Sequence, residues 1–201
     1  MLKSINKVTK TLMLGDFFLN SAWGFVSPFF AIFIVENITK GNPAKAAEVA
    51  GFATLTYWAT KSCLQIPIGN YLDKNHGEKD TFWFIFLGML IMGFTPFGYL
   101  LSKFPWQIYL SQIIYAVGAA MYVPAFYSGF TKFIDKGKEA FEWGLDSTSL
   151  GFGIGITGAL GGVIYSVFDY RFIFVLAAAI NLVSAFLILL VKKEIYEKKS
   201  L

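Results

Sequence analysis

Long apolar stretches alternate with short polar breaks from one end of the chain to the other. Six of them, at residues 12–35, 47–72, 81–101, 107–131, 144–168 and 172–191, have the length of a membrane-crossing helix. A crossing takes about 20 mostly apolar residues, because the hydrocarbon core is about 30 Å thick and a helix rises about 1.5 Å per residue. The third and sixth stretches hold no charged residue, whereas the second carries Lys61 near its centre. The breaks are short and rich in turn formers: Gly41-Asn42-Pro43, Asn75-His76-Gly77, Lys103-Phe104-Pro105, Lys136-Gly137-Lys138 and Asp169. None is long enough to be an interdomain linker or a soluble domain. The pattern predicts an all-α membrane protein with six transmembrane helices, forming a single domain over residues 1–201.

The basic residues give this bundle a direction. Lysines at 3, 7, 10, 74, 79, 132, 136, 138, 192, 193, 198 and 199 fall on one side of the predicted membrane. The other side receives only Lys40, Lys45, Lys103 and Arg171. Loops rich in Lys and Arg stay in the cytoplasm, so both ends are expected there, in a multi-pass protein of a prokaryotic inner membrane. The same dispersal over loops argues against nucleic acid as a partner, despite a net charge of +4. A nucleic-acid footprint gathers its basic residues on one surface.

Composition narrows the chemistry further. The chain is 56% hydrophobic and 15% charged, with 22 Phe, 10 Tyr and 5 Trp, against about 45–50% and 25% in soluble domains. Exposing that surplus to water would cost about 25 cal/mol per Å², so it calls for lipid. A single Cys and a single His exclude an internal disulfide and leave little for a metal site. The first apolar stretch is too long for a cleavable signal peptide. No H-E-x-x-H, G-x-S-x-G or nucleotide-binding loop occurs, so neither an enzyme nor a cofactor is expected.

Polar residues inside the spans are the candidates for function. Asp16, Asn20, Trp23 and Ser27 recur at helical spacing on one face of the first span, with Asp16 about one turn from its cytoplasmic end. Such a stripe must face a cavity or another helix; Asp16 is read either as an interfacial carboxylate or as a proton or cation site. Lys61 shares a face with Thr54, Tyr57, Trp58 and Gln65. Placing a charge at that depth costs about 2.5–3.5 kcal/mol, and such residues turn to the bundle interior. Lys61 is read as binding an anionic group or as snorkelling or pairing structurally. In the fourth span Gln112, Tyr115, Ala119, Tyr122 and Phe126 form another stripe, suited to holding a small organic solute or to plain packing. Gly151, Gly155, Gly158 and Gly162 contain two G-x-x-x-G pairs, a close-packing device in lipid, either within the chain or at a moving interface. Asp146 is read as a charge of the fifth helix's first turn, with a ligand role as the alternative.

Several loop and helix motifs resemble those of the major facilitator superfamily. Residues 69–79, GNYLDKNHGEK, are similar to the family's G-x-x-x-D-R/K-x-G-x-R/K signature after the second helix, with one residue inserted before Gly77. The small-residue run Gly118-Ala119-Ala120 resembles the family's fourth helix, with Gln112 standing where an Arg is usual. Residues 153–162, GIGITGALGG, look like the fifth-helix G-x-x-x-G-P-x-x-G-G, with Thr157-Gly158 replacing Gly-Pro, and Asp169-Tyr170-Arg171-Phe172 is similar to the approach to the sixth helix. The resemblance covers six of the family's twelve helices. It implies a half bundle whose first and fourth helices line a cavity, and a gate formed by Gly69, Asp73, Lys74, Gly77 and Lys79. It also implies a small-molecule or ion substrate and alternating access. Two such halves are related by an axis along the membrane normal, so a parallel homodimer completes the fold most simply. The alternative is a non-transporting half that partners another membrane polypeptide.

Overall fold

The structure, a computed structural model, describes residues 5–75 and 78–197. Six long helices follow one another: α1 (Lys7–Phe33), α2 (Pro43–Asn75), α3 (Glu78–Leu101), α4 (Pro105–Phe133), α5 (Glu139–Val167) and α6 (Tyr170–Ile188). A short α7 (Lys192–Glu197) closes the described chain. Five of the six long helices are both long and apolar enough to cross a membrane; α2 has the length, at 33 residues, but not the apolarity. Lys61 lies in its interior, and Lys45, Glu48, Asp73 and Lys74 are spread through the rest.

Local signals explain where the helices start. Asn6 caps α1 by accepting from Val8 N–H at 2.8 Å, and Asn42 accepts from Lys45 N–H at 3.0 Å ahead of α2. Each side chain satisfies a donor that a helix start leaves without a partner. At α4, Pro105 takes the first helical position and Gln107 reaches back to accept from Phe104 N–H at 3.0 Å. Asp169 accepts from Arg171 N–H at 3.1 Å to open α6. At the far end of α1 the helix widens into a π turn, Ile34–Ile38. Lys40 and Gly41 then take positive φ angles of 53° and 84°, which reverses the chain into α2.

Neighbours in space form the series α5, α1, α6, α3, α4, α2, an arc whose two ends are α5 and α2. Two apolar layers hold the arc together. One gathers Leu12, Phe82, Ile85, Met89, Phe130 and Ile188; the other gathers Phe33, Ile34, Tyr99, Ile108 and Phe174 at the opposite end of the bundle. The α3–α4 crossing is the closest approach among its central elements. A Cβ added at Gly88 would lie 2.7 Å from the Gly118 carbonyl oxygen, and one at Gly118 would lie 2.8 Å from that of Gly88.

The beginning of α1 and the C-terminal segment lie at the same end of the bundle, where Lys7 pairs with Glu194. At that end the Thr9 hydroxyl also donates to the Phe133 carbonyl at 2.9 Å.

The structure corrects two details of the predicted elements. The signature after the second span is not a loop up to Lys74: Gly69, Asp73 and Lys74 belong to the last two turns of α2, Lys79 starts α3, and Gly77 lies outside the described residues. The glycines that come closest to α1 from α5 are Gly153 and Gly161, which lie outside the named set, and the four named ones divide between the two readings. A Cβ at Gly153 would meet Ser21 Oγ and Phe17, and one at Gly161 would lie 3.1 Å from the Phe25 carbonyl oxygen. Gly151 and Gly155 have open space beside them, while Gly158 and Gly162 meet α1 only at ordinary contact distances of 3.7 Å or more. Spacing alone names a face but does not say which face meets a neighbour.

Candidate functional site

The inner wall of the arc encloses a cavity of ≈ 410 Å³, lined from α1, α2, α4 and α5 with one residue of α3. It brings together Asp16 and Asn20 of α1, Tyr57 and Lys61 of α2, and Tyr115 and Tyr122 of α4. Ala119 and Phe126 of the predicted α4 stripe line it as well. Trp23 lies one layer behind, stacked on Tyr115 with ring centroids 5.3 Å apart. Gln65 and Gln112 are not among the lining residues, and Gln112 is buried beside the cavity. Thr54 is exposed and turns back on its own helix, donating to the Ala50 carbonyl at 2.9 Å. Ser27, the last member of the α1 stripe, is exposed.

Asp16 is the most constrained of these groups. Because α1 begins at Lys7, the residue lies in the third turn rather than the first, and only 6% of it is exposed. Its Oδ1 accepts from the Tyr122 hydroxyl at 2.5 Å and from Asn20 Nδ2 at 2.9 Å. The first bond ties α1 to α4 along the cavity wall. Hydrogen bonds to a charged acceptor are worth about 1.5–3 kcal/mol, and they offset part of what burying a carboxylate costs.

On α2, the Lys61 ammonium sits over two aromatic rings, 4.8 Å from the Trp58 centroid and 5.7 Å from that of Tyr57. A cation over an aromatic face gains about 0.5–2 kcal/mol, less than a carboxylate partner would give at this depth. No carboxylate among the described residues lies within ion-pair distance of it.

From α5 the lining takes Asp146, read from the sequence as a helix-end charge, together with Trp143, Ser147 and Leu150, and from α4 it takes Tyr127; the last four were not singled out as cavity residues by the sequence. Asp146 is 4% exposed, and its Oδ1 has no hydrogen-bond partner. Starting the fifth span at residue 144 placed Asp146 in a first turn, but α5 begins at Glu139 and Asp146 lies two turns inside it. The polar beginning of α5 is still helical because Glu139 and Glu142 sit where the helix dipole favours negative charge. Glu142 is itself fully buried, and its Oε2 accepts from Asp135 N–H at 3.4 Å, so it turns into its own chain. Asp73, Lys74 and Lys79 are exposed at the α2–α3 end, with the Lys79 ammonium 5.6 Å from the Tyr196 ring centroid.

The site is a mixed-charge, aromatic-walled cavity among helices long enough to span a membrane, and nothing in it resembles a nucleophile–base pair. The two ends of the arc leave apolar surface uncovered. On α2, Leu55 is 60% and Ile66 70% exposed; on α5, Phe152 is 67% and Val163 63% exposed. No curated protein matches the chain. The sequence model of the Major Facilitator Superfamily does match it, over residues 12–201. With the helical architecture, the internal cavity and this match over nearly the whole sequence, the chain belongs to the major facilitator superfamily, a family of membrane transporters.

Proposed function

We propose that the protein is a secondary transporter of a small solute, working as a parallel homodimer of six-span units by alternating access. In this reading α2 is the sixth span, its charges tolerated because Lys61 faces the cavity, and both ends of the chain are cytoplasmic. The observation that carries it is the cavity itself: Asp16, Lys61 and Asp146 converge on it from the interiors of three long helices. Charges so placed are costly and mark substrate or ion pathways. The second copy supplies what one arc lacks, a cover for the apolar faces of α2 and α5 and the other wall of a central vestibule. Gly151 and Gly155, open to the outside of α5, give that second copy a surface for close helix approach. Asp73, Lys74 and Lys79, with Gly69 and Gly77, form the cytoplasmic gate where α2 meets the partner.

Flux into proteoliposomes tests this reading. Wild-type protein is expected to move a solute above the level of empty vesicles, and Lys61→Ala and Asp16→Asn are expected to lower that flux at least tenfold while folding normally. Flux no greater than that of empty vesicles across a broad solute screen would refute it. Crosslinking in lipid reports the second half: a self-pair is expected, and a fixed pair with a different polypeptide would replace the homodimer.

A further inference from the structure

The charges in the cavity are present together but do not pair with one another. Lys61 holds its ammonium over Trp58 and Tyr57, and no carboxylate of the described chain comes within 4.0 Å of it. Across the cavity, both donors to Asp16 converge on Oδ1, and no donor of the described chain reaches Oδ2. Asp146, 4% exposed and lining the same space, has a carboxylate oxygen with no hydrogen-bond partner at all. A buried charge or polar group left unpaired costs more than the pairing would have returned. Opposite charges sharing one low-dielectric space attract strongly, yet here they stand apart on different helices with room between them.

From this arrangement we infer that the substrate is a zwitterion, with an ammonium group held by Asp16 and Asp146 and a carboxylate held by Lys61. The inference rests on the transporter reading above and names its substrate class. A simple cation would satisfy the carboxylates and leave Lys61 without a counter-charge. A simple anion would do the reverse. A molecule carrying both groups satisfies the two sides at once and adds no net charge to a site within the membrane. The head group is a primary or secondary ammonium and not a quaternary one, because the free carboxylate oxygens of Asp16 and Asp146 accept hydrogen bonds and a quaternary nitrogen donates none. Tyr57, Tyr115 and Tyr127 line the space between and give an apolar connecting chain something to lie against.

The probes are a homologous series of ω-amino acids, each with its matched alkylamine and its matched alkyl carboxylate. Binding is measured to wild-type protein in nanodiscs, and flux separately in proteoliposomes. One chain length of the ω-amino acids is expected to bind at least about tenfold more tightly than both of its single-charge analogues, equivalent to about 1.4 kcal/mol. Lys61→Gln is expected to abolish the preference over the amine, and Asp146→Asn the preference over the carboxylate; Lys61→Arg is expected to retain most of it. The comparison of ligands on wild-type protein decides the matter even where a variant fails to fold. Amines or carboxylates binding as well as every ω-amino acid would overturn the zwitterion, as would no binding by any ω-amino acid. Selective binding without flux would leave the zwitterion site standing and refute the transporter reading instead.

Discussion

The α3–α4 side of the arc and its two ends are built by opposite rules. At the α3–α4 crossing two glycines face each other so closely that neither accepts a methyl group, and half of the most apolar stretch of each helix is buried. At α5 only 11% of the corresponding stretch is buried, two glycines look into open space, and large apolar side chains point outward. As sequence, α5 is as apolar as α3 and α4, each being long and apolar enough to cross a membrane. What separates them is whether the chain supplies its own neighbour. The packed side is closed within one polypeptide, whereas the outer face of α5 has little of the chain against it; in the proposed homodimer a second copy meets that face.

Substitutions at matching glycines break that contrast most directly. Gly88→Leu forces a branched side chain onto the Gly118 backbone, and overpacking of this kind costs about 1–3 kcal/mol or more. The folded yield and thermal midpoint in detergent are expected to fall sharply; an unchanged midpoint would show that the crossing is looser than described. Tyr122→Phe removes the hydroxyl that donates to Asp16 and joins α4 to α1. It is expected to lower stability by about 1.5–3 kcal/mol and flux by at least tenfold, measured by thermal unfolding and vesicle uptake. Lys7→Ala deletes an exposed pairing with Glu194. Pairs of this kind contribute about 0–1 kcal/mol and less at high salt, so the shift in midpoint should be slight and should shrink as salt is added. Gly155→Leu stands at the other extreme from Gly88→Leu. Nothing lies near its Cβ position, so the stability of the isolated chain is expected to stay within about 0.5 kcal/mol. Self-association in lipid, read by crosslinking, is expected to weaken. A fall in monomer stability as large as that of Gly88→Leu would erase the distinction between the two regions.

The helices were legible because lipid imposes a length and a composition that few other environments do. The ends were not, because a membrane helix continues past its apolar part wherever caps and dipole allow. Thus α1 begins at Lys7, α2 runs to Asn75 and α5 begins at Glu139, each beyond the apolar stretch that announced it. That extension moved Asp146 from a helix end to a cavity wall. Periodicity grouped Asp16 with Asn20, Tyr57 with Lys61, and Tyr115 with Tyr122, and all six line the one cavity, since polar groups on a spanning helix have few places to go. It could not say that Gln65 and Gln112 fall outside the lining, nor choose between Gly151 with Gly155 and Gly153 with Gly161. Those choices depend on which helix lies alongside, and that is a property of the assembled bundle.

The reciprocal contact of Gly88 and Gly118 has a mechanical consequence. Packed helices slide past one another by letting interleaved side chains change rotamer, and at that crossing each glycine faces the other's carbonyl with Ile91, Met92 and Tyr122 closed in around the contact. Backbone rests on backbone, and a small displacement in either direction meets the next residue's bulk. The two helices therefore travel as a single stiff body. In the proposed transporter, the large rearrangement is then left to the outward faces of α2 and α5, where Gly151 and Gly155 have open space beside them.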